Sequence, residues 1–250
     1  MSNSSTIWES FTLPSKGLIY EKEINPVVEL RSMTTLEEME RLSPSDTPYK
    51  VMCTIIEECM REKPEIPVYN MCIGDYQFLM HKLRIVTYGP EYKMIVNCPK
   101  CGEITESVGD LESLELHEYE ENIAEIKQFT LPVTNDEITI KFQTPRDLDM
   151  VSIKNKEEQK RTKSNIDFSL LFTVTGIIDK INGRKFNSIQ LEEYVKNLPM
   201  KDVNYIISRI NELNKKIGLD TLITVKCSSC GYELVAPFRI TSEFFGPSDN

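Results

Sequence analysis

Three observations in the sequence predict an α+β fold of two diverged tandem-repeat halves, with helices on small sheets and a four-cysteine site between them. One short pattern occurs twice, CPKCG from Cys98 and CSSCG from Cys227. The stretches leading into the two copies are alike: Gly89 and Gly218 each stand nine residues before the first cysteine, and a hydrophobic run follows in both (Met94, Ile95, Val96; Ile223, Thr224, Val225). Finally, the tetrapeptide Phe-Thr-Leu-Pro opens each half, at 11–14 and at 129–132, followed by a β-like run and a Thr-led acidic turn. Self-similarity of this kind is read before any element is assigned, because it sets the unit of the fold. The halves it predicts are 1–126, with the first knuckle and an acidic linker, and 127–250, with the second knuckle and an aromatic tail.

Taken in chain order, Val27–Leu30 is strand-like, and Thr34 or Thr35, with a glutamate three residues on, makes a capping box for a short helix to about Leu42. Thr47-Pro48 reads as an N-cap with proline in the first helical position. The helix it starts, to about Glu62, carries Met52, Ile55, Ile56 and Cys59 on one stripe. An amphipathic segment opened by Asp75 repeats that spacing with Tyr76, Leu79, Met80, Leu83 and Val86. In the second half 138–142 alternates like a strand, 146–172 reads as helical, and 177–186 contains Asn182-Gly183, a hairpin turn signal. A helix opened by Asp202 puts Val203, Ile206, Ile207, Ile210 and Leu213 on one face, with Gly218 placed as its C′ residue.

The cysteine pairs carry the chemistry. A Cys-x-x-Cys pair brings two sulfurs to one tetrahedral ion at about 2.3 Å each. The glycine that follows (Gly102, Gly231) takes the positive φ that turns backbone N–H groups toward sulfur. Ordinary zinc ribbons separate their pairs by about 15–20 residues, whereas here a whole half intervenes. Cys98, Cys101, Cys227 and Cys230 are therefore read as ligands of one zinc-ribbon-like Zn²⁺ site, one ion per chain, shared between halves. Four sulfurs close the tetrahedron and leave no position for water or substrate, so the ion is structural, and its binding free energy becomes folding free energy. Iron suits four thiolates as well, and two disulfides or inert thiols are the other readings.

Composition bounds the rest. With 250 residues and 40% hydrophobic content the chain can bury a sizeable core, in halves of about 120 residues each. Seven cysteines without a secretory leader fit metal binding plus buried thiols at Cys53, Cys59 and Cys72. The opening MSNSSTIWESF has neither a basic nor an apolar region of a leader, and no stretch approaches the ~18–20 apolar residues of a membrane span. A net charge of −10 and an acidic run over 103–125 disfavour nucleic acid, and the basic cluster at 154–163 is broken by two glutamates, so it reads as the solvated end of a helix. His81 and His117 fit no metal-hydrolase pattern, ten glycines leave little for a phosphate loop, and no carboxylates pair into an acid/base site, so no enzyme and no small-molecule substrate is expected. The ends put large apolar residues beside turn formers: Phe11 to Tyr20, and Phe244-Phe245 before Gly246-Pro247-Ser248. They either fold back on the core or act as docking peptides.

Together, FTLPSKGLIY near the start, an acidic helix after a threonine, Gly74-Asp75 leading a helix with Arg84 and then Tyr88-Gly89, the CPKCG knuckle, the second Gly-to-CxxC unit and a terminal FFGPS resemble the T4-type baseplate protein family of contractile-tailed bacteriophages. The likeness covers nearly the whole chain. It implies a non-enzymatic protein that builds the baseplate hub, as a hub component or as a hub assembly factor acting before wedges join. It also implies other phage baseplate and hub proteins as partners, a place in the host cytoplasm during assembly or in the virion tail baseplate, and the four cysteines as the metal ligands. The other functional reading is a zinc-ribbon regulatory protein that binds nucleic acid or the transcription machinery.

Overall fold

The computed structural model describes residues 6–121, 123–237 and 242–245, in which helices alternate with small antiparallel sheets, an α+β arrangement. β1 (Glu9–Thr12) pairs with β2 (Val27–Leu30), Phe11 opposite Val28. α1 (Thr35–Leu42) starts at the expected capping box: Thr34 Oγ1 accepts from the Glu37 amide, and the Glu37 carboxylate accepts from the Thr34 amide at 2.6 Å. Arg31 grips the same carboxylate at 2.6 and 3.0 Å, so one buried acid closes a helix end and binds the preceding strand. α2 (Pro48–Glu58) and α3 (Ile73–Tyr88) follow, and a bridge between Leu30 and Met60 brings the end of α2 back beside β2. The first knuckle hairpin is β3 (Glu91–Asn97) with β4 (Ile104–Asp110).

β5 (Leu116–His117) and α4 (Ile123–Lys127) connect to the second sheet. There β6 (Gln128–Thr130), β7 (Glu137–Ile140) and β8 (Ile178–Ile181) pair in the order β6-β7-β8, Phe129 opposite Ile138. α5 (Pro145–Thr162) begins at a second capping box, Thr144 with Asp147. α6 (Ser169–Ile177), α7 (Ser188–Asn197) and α8 (Met200–Asn214) precede β9 (Gly218–Leu219), which pairs with β5, and the second knuckle hairpin, β10 (Leu222–Lys226) with β11 (Glu233–Pro237).

Several sequence expectations are corrected by tertiary contacts. Thr47 makes no cap hydrogen bond; the buried Asp149 of α5 takes its place, accepting from the Tyr49 and Lys50 amides at 3.3 and 2.9 Å, and α2 stops at Glu58. α3 begins at Ile73, with the Cys72 thiol as its cap, so Asp75 does not open the helix. Asp75 instead accepts from the Ser15 amide at 3.0 Å and from the Ser15 and Tyr20 hydroxyls at 2.5 Å. Asp202 has the same use in α8, accepting from the Val133 and Thr134 amides at 2.9 and 3.0 Å. The single helix expected over 146–172 is two, because Lys163 takes a left-handed conformation (φ 51°) and Asn155 accepts from the Phe168 amide, turning the chain. Asn182-Gly183 does turn, but its hairpin closes only at Ile181 and Arg184, since β8 is claimed by β7. α7, with its Asn187–Gln190 capping box, was not expected. Gly218 is not a C′ residue: α8 ends at Asn214, and Gly218 (φ 115°) lies in β9 with its backbone against Gly74.

The apolar side chains form two clusters. One gathers Leu13, Leu30, Ile55, Ile56, Leu79 and Leu83; the other gathers Leu131, Ile138, Ile140, Val174, Ile206 and Leu213. The chain crosses between them, for Ile223, Val225, Phe244 and Phe245 join the first cluster and Cys72 the second. At about 1.5–3 kcal/mol for each large side chain fully buried, that crossing stabilises the join by several kcal/mol. Phe244 and Phe245 are fully buried, and the buried Arg84 donates from Nε to Phe244 O at 3.1 Å while its other nitrogens reach Gly89 O and Glu91 O. These two aromatics therefore fold back on the core and are not docking peptides; the Gly246-Pro247-Ser248 segment lies outside the described residues. Cys53, Cys59 and Cys72 are buried as expected. His81 is buried too, its Nε2 donating to Leu111 O at 2.9 Å, and burial lowers its pKa to about 4.

Two predictions follow from this packing. A Cβ at Gly74 would overlap Ile217 O. Gly74→Ala is therefore expected to cost about 1–3 kcal/mol, read as a lower urea midpoint. The hydrogen bonds from Arg31, ahead of those from Thr34, draw Glu37 from 4.5 down to about 2. A depressed carboxylate stabilises the fold fully above its unfolded pKa and loses that contribution as pH falls through the folded one. The unfolding free energy of the parent should therefore decline between those two pH values by about 2 kcal/mol more than that of Glu37→Gln.

Candidate metal centre

Each knuckle is the tip of a two-stranded hairpin. In the first, β3 delivers Cys98 and β4 leaves after Gly102. The Cys98 amide donates to Glu103 O at 2.9 Å and the Gly102 amide to Cys98 O at 2.8 Å. In the second, the Cys227 amide donates to Tyr232 O at 2.9 Å and the Gly231 amide to Cys227 O at 2.8 Å. Gly102 and Gly231 both have positive φ, 74° and 69°, the backbone state for which glycine was expected. The last ladder pairs correspond too, Asn97 with Ile104 and Lys226 with Glu233.

The two tips meet. Ser107 Oγ donates to Lys226 O at 2.8 Å, the Thr105 and Ser228 hydroxyls touch, and β4 packs along β10. The Cys98 and Cys230 sulfurs lie 3.7 Å apart and those of Cys101 and Cys227 3.8 Å apart, with all four ligand atoms within 4.8 Å of one another. A tetrahedron with metal–sulfur bonds of about 2.3 Å has edges of about 3.8 Å, so the spacing suits one four-coordinate ion. It is far from the ~2.05 Å of a disulfide, and all four cysteines are free. Cys98 and Cys227 are buried, while Cys101 and Cys230 face solvent.

The electrostatics favour a cation in the middle. The Cys101 amide, then that of Lys100, hydrogen-bonds Cys98 Sγ and draws that thiol from 9.0 down to about 7. At Cys101 the Glu103 amide pulls the same way, but burial and the neighbouring Cys98, Cys230 and Cys227 sulfurs outweigh it and hold the thiol up at about 12. One thiolate forms readily and the next is resisted by the first. Positive charge between the sulfurs relieves that resistance.

The four sequence-predicted site residues are thus brought together by the structure. Sequence reading did not find the polar contacts that hold the tips against each other, Ser107 and Thr105, which carry no motif. One other grouping of ligand-type side chains occurs among the described residues, Glu115, His117 and Asp220 beside the β5–β9 ladder, none of them buried. Among those residues, too, no helix is long and apolar enough to cross a membrane.

Helices on small sheets, with two hairpin tips that bring four cysteine sulfurs together, define the class of fold. The chain belongs to the T4 bacteriophage base plate protein family, whose model matches residues 9–246. It is thus a phage baseplate protein. No curated protein and no solved structure matches it.

Proposed function

We propose that this chain is a non-enzymatic component or assembly factor of the baseplate hub, working through protein–protein contacts, with its two halves, 1–126 and 127–250, clasped by one structural zinc at Cys98, Cys101, Cys227 and Cys230. The family match over 9–246 carries the functional part of the reading. The meeting of four sulfurs from two knuckles distant in sequence supports the clasp.

Duplication of an ancestral half is supported by matched hydrogen bonds. The residue after each Phe-Thr-Leu-Pro donates its amide to an aspartate of the long helix before the knuckle, Ser15 to Asp75 and Val133 to Asp202. Each second strand is followed by a capping box at the same distance, Thr34–Glu37 after Leu30 and Thr144–Asp147 after Ile140. The strand bridges agree as well, with Arg31 donating to Cys59 O and Lys141 to Ile177 O. A zinc here would be held by four thiolates and would stabilise charge and fold. Coordination is complete with the four sulfurs, so no reaction is assigned to the ion. Synthesis in the host cytoplasm, before or during tail assembly, belongs to the same proposal.

Two measurements test it. Cys98→Ser and Cys227→Ser should each remove the metal from the purified chain and lower a single unfolding transition that includes both halves. If either variant keeps its metal and its melting temperature, the shared clasp is wrong. Tagged full-length chain, recovered from infected cells, should bring down baseplate hub proteins and should pass through heparin at moderate salt. Salt-sensitive retention on heparin, with no phage structural protein recovered, would instead support the nucleic-acid regulator.

A further inference from the structure

We infer that this protein associates with further copies of itself head to tail, the α1 face of one copy packing on the α6 and α8 side of the next. The inference rests on the duplication reading above. It starts from how the two halves pack inside one chain.

Away from the knuckles that packing is not symmetric. The second half presents α5, which lies on α2 and on the turn at Val68–Asn70. From it Asp149 accepts from the Tyr49 and Lys50 amides and, at 3.1 Å, from the Tyr69 hydroxyl. The first half presents α2 and the start of α3, where the Ile73 amide donates to Gln143 O at 2.8 Å and Gly74 lies under Ile217. Like units joined through unlike faces form a heterologous contact, and such a contact leaves one copy of each face unused at the two ends of the pair.

The matched hydrogen bonds identify the unused faces. The capping boxes set α1 in register with α5, so Met39 stands where Asp149 stands; Met39 is 61% exposed and Asp149 1%. Leu36 and Leu42, one turn to either side of Met39 on the same face, are exposed too. The bridges to β2 and β7 set α2 in register with α6, placing Leu170 (45% exposed) at the position of Met52 (7%). The paired aspartates set α3 in register with α8, placing Met200 (56%) at the position of Ile73 (8%).

The first half thus offers an apolar version of the surface that α5 buries, and the second half offers apolar versions of positions that α2 and α3 bury. Exposed apolar faces of this kind mark interaction sites. A second copy is the occupant because it alone carries the complementary end of the same interface, and its docking extends the intrachain contact by one unit. Whether the series closes into a ring depends on the rotation per step.

The test uses the full-length chain, its Met39→Glu and Met200→Glu variants, and mass in solution by sedimentation and light scattering. Both side chains are exposed, so both variants should fold and keep the parent's melting temperature. The parent should gain mass with concentration through the micromolar range, and each variant alone should stay monomeric. A 1:1 mixture should form dimers of about twice the variant mass that grow no further, since Met39→Glu keeps one live face and Met200→Glu keeps the other. A parent that stays monomeric throughout, a variant that still associates alone, or a mixture no heavier than its parts overturns the inference. The clasp reading fails separately, if either Cys98→Ser or Cys227→Ser keeps its metal and its melting temperature while the association pattern above still holds.

Discussion

Four sulfur atoms can surround one ion only if two hairpin tips, drawn from distant parts of the chain, arrive at the same place facing each other. That requirement constrains much else in this structure. Both hairpins are held in corresponding register up to the cysteine, Asn97 with Ile104 and Lys226 with Glu233. Both turns need the positive φ of Gly102 and Gly231. The contact between tips is polar where it is close, Ser107 to Lys226 O, and apolar behind, where Ile223 and Val225 enter the same core cluster as Leu30 and Leu79.

In the proposed reading, thiolate chemistry and packing share the work of joining two halves. Burial of Ile223, Val225, Phe244 and Phe245 across the boundary contributes several kcal/mol, comparable to the whole marginal stability of a small domain. Packing of that size explains how the tips could be positioned before an ion binds. In the proposed reading an ion would act on sulfurs already at the right spacing, with Cys98 inclined to ionise and Cys101 held back. The sulfur cluster is close to twofold in its pairing, Cys98 with Cys230 and Cys227 with Cys101, whereas α5 lies on α2 with no comparable contact of α1 on α6 among the described residues. In the proposed reading, divergence after duplication reshaped the bodies while the clasp kept its form.

Features that depend on neighbours in sequence are legible in the sequence itself. The cysteine spacing, the glycines after it and the Thr34–Glu37 capping box are local chemistry, and each stands where it was read. Features that depend on distant partners are not. Asp75 and Asp202 look like helix openers, but each is buried and accepts a backbone hydrogen bond from a loop distant in sequence, 60 positions away for Asp75 and 69 for Asp202. Thr47 before Pro48 looks like a cap, yet the carboxylate of Asp149, far along the chain, does the capping. The break after Thr162 turns on a left-handed lysine, which no propensity signals. α7 could have been found, since Asn187 and Gln190 spell a capping box. Arg84, buried and holding the Phe244 carbonyl, has no sequence signature.

The most direct test of the central claim is X-ray absorption at the metal edge of the natively purified chain. The account predicts zinc with four sulfur neighbours at about 2.3 Å and no nitrogen or oxygen in the first shell. A shell containing lighter atoms would mean that the two knuckles do not close on one ion, and a chain purified without metal would mean that packing alone joins the halves.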